Sequence, residues 1–394
     1  MQNRRDKPTL DITMLICEFH PVIGGAEDQA LALSRKLIER GHRVRVVTMR
    51  LPGTESFEKV EGVPVRRLSS LRKGVGPLLY VAHGFLSIAF SNPRPEIVHA
   101  HLFNSSSVLA CLCKLLLGIK TISKLGQDSV GGDVDRNLAT PAGRLKLSLF
   151  KRGIDFFIAI NSGIREELLG IGIPEGRILS ISNGVDTENF RPAASGEKEE
   201  LRRRNPIPFS RCAICLGSLI PRKRVDFLIS IWPEVVKKFP DAGLLVVGDG
   251  EERDALERLA REKGIGDRVL FTGTVANPED YLRSADIFIM PSRAEGVSNA
   301  LLQAMSCALP VLVAENSGTR VLIENGVNGF VISPGDRDEA VRVIEKLFTS
   351  ETVRARIGES ARGTILQKFS IQTIAEQYET LYCELASSRR EKGD

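Results

Sequence analysis

Three stretches of this chain place charged side chains and glycines where a phosphate or a sugar could be handled. In LGSLIPRKRVDFLI a strand-like run ends at Gly217-Ser218, and Arg222, Lys223 and Arg224 follow at the opening of a helical pattern. Cations at a helix start oppose the helix dipole, and a nearby anion relieves that conflict. A diphosphate clamp fits the pattern; a solvated charged turn is the plainer alternative. In PSRAEGVSNALLQAM a second run ends at Met290-Pro291-Ser292, before Glu295-Gly296 and a helix led by Ser298-Asn299. A carboxylate at a sheet's carboxyl edge can accept from sugar hydroxyls, and the amides from Gly296 through Val297, Ser298 and Asn299 can face an anion. Gln303, about two helical turns beyond Glu295, can reach the same ligand; an N-capping acid and a surface Gln are the alternative. The third stretch, FHPVIGGAEDQA, sets Gly24-Gly25 between the first strand and a helix. Glycines there let backbone approach a phosphate, but the spacing is not G-x-G-x-x-G, so no dinucleotide site is indicated. Plain turn chemistry explains the pair equally well.

The elements that must position these residues alternate along the chain. Apolar runs at 11–17, 43–48, 96–100, 119–123, 155–160 and 178–181 occupy the first half, and runs at 212–217, 243–248, 268–272, 286–290 and 310–314 the second. Helical patterns separate them. From Ala26 to Arg40 the residues Ala30, Leu33, Leu37 and Ile38 share one face, and Gly41 closes the helix. Such alternation predicts parallel sheets covered on both faces, hence an α/β fold of two Rossmann-like doubly wound domains. Ligands of such sheets bind beyond the carboxyl ends of the strands, so a cleft between the domains is the expected site. The expected division is residues 1–190, a linker over 191–210 rich in Pro and charge, a second domain over 211–370, and a C-terminal helix over 371–394 packing back on the first domain.

Composition narrows the classes. The chain has 394 residues, 42% hydrophobic and 26% charged, the balance of a globular protein of two domains. No apolar run is long enough to span a bilayer, and the N-terminal run lacks a cleavage pattern, so a cytoplasmic protein is expected. Seven cysteines without framework spacing argue against a disulfide scaffold; Cys212 and Cys215, inside a strand-like run, read as core. The net charge of +5 lies in residues 1–190, which carry +6. That bias suits an anionic lipid or substrate and not nucleic acid, for which no basic-aromatic interleaving exists.

Taken in order, GGAE at 24–27, NGVD at 183–186, GSLIPRKR at 217–224, VGDGEER at 247–253, FTGTV at 271–275, EGVSNALLQAM at 295–305 and NGVNGFVISPGD at 325–336 resemble glycosyltransferase family 4. That family is retaining and has the GT-B fold, and the resemblance covers nearly the whole chain. It implies sugar transfer from a nucleotide-sugar donor, UDP- or GDP-linked and without a metal, to a hydroxyl of a saccharide or lipid-linked acceptor, in polysaccharide or glycolipid synthesis. It also implies that Gly24 and Gly25 lie near the donor diphosphate and that Lys223 contacts it. Glu295 would hold the transferred sugar or its phosphate side, the backbone of Gly296 to Asn299 would add amide contacts, and Val275 would lie near the base. Three departures stand out. Ser218 replaces the family's usual Arg, a charge Arg222 can supply; Gln303 replaces the second glutamate of the family's pair; and no His follows the strand of KTISKLGQDS, where Lys124 or Asp128 stands instead. His101 of the His99-Ala100-His101 run is placed to touch an acceptor, or is a structural histidine.

The stretch VRRLSSLRKGVGPLLYVAHGFLSIAF sets Arg66, Arg67, Arg72 and Lys73 before an apolar helical pattern. It reads as an interfacial contact with an anionic membrane surface, which would make the protein peripheral on the inner face, or as an ordinary buried helix entered by a charged loop. No residue cluster has metal-ligand spacing. A catalytically weakened nucleotide-sugar-binding protein is the alternative to a transferase, on the strength of Ser218 and Gln303. An epimerase would need acid-base residues that cannot be placed.

Overall fold

The computed structural model describes residues 8–22, 24–69, 76–128 and 131–390. They divide into two units, one built from the chain up to Gly184 together with Ile371 onward, the other from Val185–Ser370.

The first unit holds β1 (Asp11–Leu15), β2 (Arg43–Met49), β3 (Phe57–Val60), β4 (Val63–Leu68), β5 (Ile97–His101), β6 (Lys120–Lys124), β7 (Phe156–Ala159) and β8 (Ile178–Ser180). They form one sheet in the order β3-β4-β2-β1-β5-β6-β7-β8. Every pairing is parallel except β3 with β4, a hairpin turned by Glu61 and Gly62 at φ 45° and 83°. Two successive residues in the left-handed region suit the right-handed twist of the strands they join. β5 is buried along its whole length, as expected of a parallel strand covered on both faces.

The second unit holds β9 (Arg211–Leu216), β10 (Ala242–Val247), β11 (Val269–Gly273), β12 (Ile287–Met290), β13 (Val311–Ala314) and β14 (Phe330–Ile332). Their order is β11-β10-β9-β12-β13-β14, all parallel. This is the doubly wound order in which the direction of winding reverses between β9 and β12, and the crevice at that reversal is where such sheets place ligands. Helix Val225–Lys238 drives its apolar face, with Trp232 wholly buried, into this unit's core.

Two boundaries differ from expectation. The chain enters the second unit at Val185, and the segment 191–210, expected to be a linker, belongs to that unit. Its helix Glu197–Arg204 buries Leu201; Lys198 and Arg202 pair with Asp286 at 3.0 and 2.8 Å, and Arg204 pairs with Asp280. The charges that made the segment look solvated are its attachments.

The last helix, Ile371–Arg390, lies in the first unit. Ile371, Ile374, Ala375, Tyr378, Leu381, Tyr382 and Leu385 are buried, the spacing of one helical face. Glu379, 2% exposed, accepts from Arg40 at 2.6 Å and lies 3.1 Å from His42. Among the described residues no helix is long and apolar enough to cross a membrane.

Candidate active site

In the second unit the loops after β9 and β12 flank the winding reversal, and both carry residues singled out above. The chain leaves β9 at Gly217, whose φ of 144° favours glycine. Gly248 is held to glycine on two counts, a φ of 131° and a Cβ that would overlap the Gly217 carbonyl. Ser218 is exposed and Leu219 donates to the Asp249 carbonyl at 2.9 Å. Pro221–Lys223 then make a single tight turn, and the helix proper begins only at Val225, after Arg224 at φ 55°. The three cations therefore precede the helix instead of opening it, and each has a carboxylate. Arg224 pairs with its neighbour Asp226 at 3.0 Å. Lys223 Nζ lies 2.6 Å from Glu295 Oε1, and Arg222 Nη1 3.2 Å from Glu295 Oε2.

Glu295 is 5% exposed and the loop bearing it is fastened on both sides. Arg293 donates its backbone N–H to the Arg222 carbonyl, and Arg222 Nη1 donates to the Ala294 carbonyl, each at 2.9 Å. From the other side Asn316 Nδ2 donates to the Ser292 carbonyl at 3.1 Å and Ser317 Oγ to the Glu295 carbonyl at 3.2 Å. Gly318 packs so tightly that a Cβ would overlap the Gly296 carbonyl. Asn316 also caps the helix Ser317–Leu322 through a reciprocal capping box with Thr319. Burial by itself would raise the Glu295 pKa, but the charges of Lys223 and Arg222 outweigh it and hold the carboxyl below its ordinary value. Two cations against one carboxylate leave the cluster a unit of positive charge for a ligand.

Beyond Glu295, Gly296 and Val297 are buried, and Ser298 caps the helix Asn299–Ser306 by accepting from the Leu301 N–H at 3.4 Å. Gln303 is half-buried on that helix, and Val275 is half-buried just beyond β11. The structure thus brings Arg222, Lys223 and Glu295 into contact and sets Gly217, Ser218 and the 296–299 backbone on the same two loops.

The remaining candidates belong to the first unit. Gly24 precedes the helix Gly25–Glu39, and a Cβ on it would overlap the Glu27 carboxylate. Burial raises the Glu27 pKa. The helix start expected to favour an anion therefore carries acids of its own, Glu27 and Asp28. His101 ends β5 at 2% exposure, and burial, then the Lys124 charge, lowers its pKa to about 3. Lys124 ends β6, also buried, and desolvation lowers its pKa to about 7. Arg67 is not part of a free basic patch: it is buried, paired with Glu58, and donates to the His20 carbonyl. Arg66 lies 5.2 Å over the Phe57 ring, while Arg72 and Lys73 lie outside the described residues. Cys212 and Cys215 are buried free thiols raised to about 12 by burial. Among the described residues no group of three or more His, Cys, Asp or Glu has metal-holding geometry.

Comparison with known proteins adds the lineage. Residues 23–189 match the family model for Glycosyltransferase Family 4, and residues 197–364 the model for Glycosyl transferases group 1. The chain is 26% identical over 93% of its length to N-acetyl-alpha-D-glucosaminyl L-malate synthase of Bacillus anthracis, covering 95% of that protein. It is 24% identical over 92% of its length to a GDP-mannose-dependent alpha-(1-6)-phosphatidylinositol monomannoside mannosyltransferase of Mycobacterium tuberculosis, covering 96% of it. Among solved structures, sucrose-phosphate synthase from Thermosynechococcus elongatus superposes with a TM-score of 0.80 at 19% identity, over 96% of this chain and 99% of that one. Anabaena HepE in complex with UDP and glucose gives 0.78 at 22%, over 94% and 99%. These neighbours share the GT-B fold, and with a matching family model on each half the chain belongs to glycosyltransferase family 4.

Proposed function

We propose that this glycosyltransferase receives the diphosphate of a nucleotide sugar at the winding reversal of its second unit, with Lys223 and Arg222 as the neutralising cations. The contact of both with buried Glu295 carries the reading. Breaking a glycosyl–phosphate bond makes the sugar oxocarbenium-like and builds negative charge on the departing diphosphate. Fixed cations stabilise that charge where it develops, and here no divalent ion is needed in the role. Glu295, held ionised, accepts from hydroxyls of the transferred sugar; Gln303 bonds the ribose and Val275 packs beside the base. We assign retention of anomeric configuration, with the acceptor attacking from the leaving-group face and the departing phosphate taking its proton. UDP in the HepE complex and GDP-mannose in the name of the mycobacterial relative frame the donors to try. A panel of UDP- and GDP-sugars tested against lipid-linked and free saccharides identifies the pair. Lys223→Ala should then lower transfer by well over tenfold; turnover within twofold of wild type would refute the assignment. A binding-only role finds no support in relatives named as a synthase and a mannosyltransferase.

For the acceptor we propose a lipid-linked or membrane-proximal hydroxyl. Helix Gly76–Ala89 buries Tyr80, Gly84 and Ile88 but leaves Leu78 72% exposed, and Phe90 just past its end is 84% exposed. Phe57, Arg66, His83, Leu86 and Phe90 line an open groove of about 510 Å³ beside it. Apolar side chains with a cation among them suit the boundary of an anionic bilayer. Replacing Leu78 and Phe90 by Ser should abolish co-sedimentation with vesicles containing phosphatidylglycerol, and unchanged binding would count against a membrane-bound acceptor.

A further inference from the structure

Beneath the last helix, the first sheet carries a set of nitrogen and hydroxyl groups with no acid among them. His99 and His101 share one face of β5, their rings stacked at 4.5 Å. Lys124 is the register partner of His101 on β6, and its ammonium lies 5.8 Å from the centre of the Tyr378 ring. Tyr378 sits 5.2 Å from His99, and Tyr382 OH lies 2.7 Å from His99 Nδ1. With Tyr382 donating to Nδ1, His99 carries its hydrogen on Nε2.

The cluster is buried, with His101 2% and Lys124 6% exposed. Three of its polar atoms, His99 Nε2, His101 Nε2 and Tyr378 OH, have no hydrogen-bond partner. Among the described residues no carboxylate pairs with Lys124. An unsatisfied buried polar group costs about 1–3 kcal/mol, and several side by side call for a partner. Each of these groups is a donor in an available state, and a lysine ammonium is only a donor. The cluster stands at the carboxyl ends of β5 and β6, and β5 flanks the winding reversal of the first sheet, the ligand-binding end of such a sheet. Donors without an acceptor, one of them cationic, are complementary to an oxyanion.

We propose that Lys124, His101 and Tyr378 hold one oxyanion of a ligand, a carboxylate or a phosphate group, in a site built wholly within the first unit. The site is assigned from residues of the first unit alone and does not depend on the donor assignment, because its test reads occupancy instead of turnover. Lysine acylation by a dilute N-hydroxysuccinimide ester at pH 7, where Lys124 is still partly charged, is followed by mass spectrometry on the Lys223→Met protein, so that Lys223 does not compete for the probe. Sodium phosphate and sodium malonate are added separately, with sodium chloride at matched ionic strength. Lys238, 59% exposed at its side chain, serves as internal control. At least threefold slower labelling of Lys124 is expected with one of the two anions and not with chloride, the effective anion telling phosphate from carboxylate. His101→Asn should weaken that protection while Lys238 labels unchanged. Equal labelling of Lys124 in phosphate, malonate and chloride would overturn the proposal and assign the orphaned atoms to water.

Discussion

Exchanging the Lys223–Glu295 pair for neutral isosteres separates a ligand-binding cluster from a structural ion pair. Lys223→Met leaves Glu295, 5% exposed, with Arg222 alone at 3.2 Å; Glu295→Gln leaves two cations against an amide. Breaking a buried pair costs about 3–5 kcal/mol when one charge is left uncompensated. Arg222 remains, though its side chain is 36% exposed, so roughly 2–3 kcal/mol is expected for Lys223→Met. The double variant removes both charges and should regain much of the loss, giving a coupling energy of about 1–3 kcal/mol. Trp232, the chain's one tryptophan, is wholly buried in the second unit, so its fluorescence during urea unfolding reports that unit alone. Transfer should behave differently. If the pair serves a diphosphate, all three variants should stay more than tenfold below wild type, at least about 1.4 kcal/mol of transition-state stabilisation, although the double variant is refolded. A double variant recovering rate together with stability would refute the reasoning, because the pair would then serve only itself.

Three further outcomes follow from the same geometry. Gly318→Ala should destabilise the second unit by about 1–3 kcal/mol and raise the donor KM, since its Cβ would overlap the Gly296 carbonyl beside Glu295; urea unfolding and initial rates check both. Glu295 has a pKa depressed in the fold from the ordinary 4.5, so its stabilisation is complete above that value and is lost as pH falls through the folded pKa. The wild-type urea midpoint should therefore drop more steeply below pH 4.5 than that of Glu295→Gln. Lys124 behaves oppositely: lowered to about 7 in the fold from 10.5, it binds fewer protons folded than unfolded between those values. The first unit should thus gain stability from pH 7.5 to 9 by up to about 1–2 kcal/mol relative to Lys124→Met, measured as hydrogen-exchange protection of β5 and β6.

What the sequence disclosed tracks how local each signal is. Continuous apolar runs marked β1, β2, β5 to β13 to within a few residues, because strands buried on both faces need little else. β3 and β4 escaped notice: in VPVRRL the arginines mask the alternation of Val63, Val65 and Leu68, and Arg67 is a buried, paired residue. β14, only Phe330–Ile332, is too short to register as a run. On the candidate site, the residue types at 222, 223 and 295 were visible, but their mutual contact spans 72 positions or more and follows only from the order of the sheet. The cluster beneath the last helix was less legible still. The return of the last helix to the first domain was expected, but His99 and Tyr382 are 283 residues apart, and no local pattern announces which side chains meet there.

That split assembly bears on how the protein is made. A ribosome releases the first sheet early, yet Tyr378, Glu379 and Tyr382 emerge only after every residue of the second unit has been synthesised. Until then their partners, Arg40 and His42 for Glu379 and His99 for Tyr382, lie uncovered, in the sort of incomplete intermediate that aggregates or recruits chaperones. Nascent chains stalled before Ile371 should remain protease-sensitive in their amino-terminal half while the inserted half is already resistant. Shortening the carboxyl terminus would accordingly harm the oldest part of the polypeptide first.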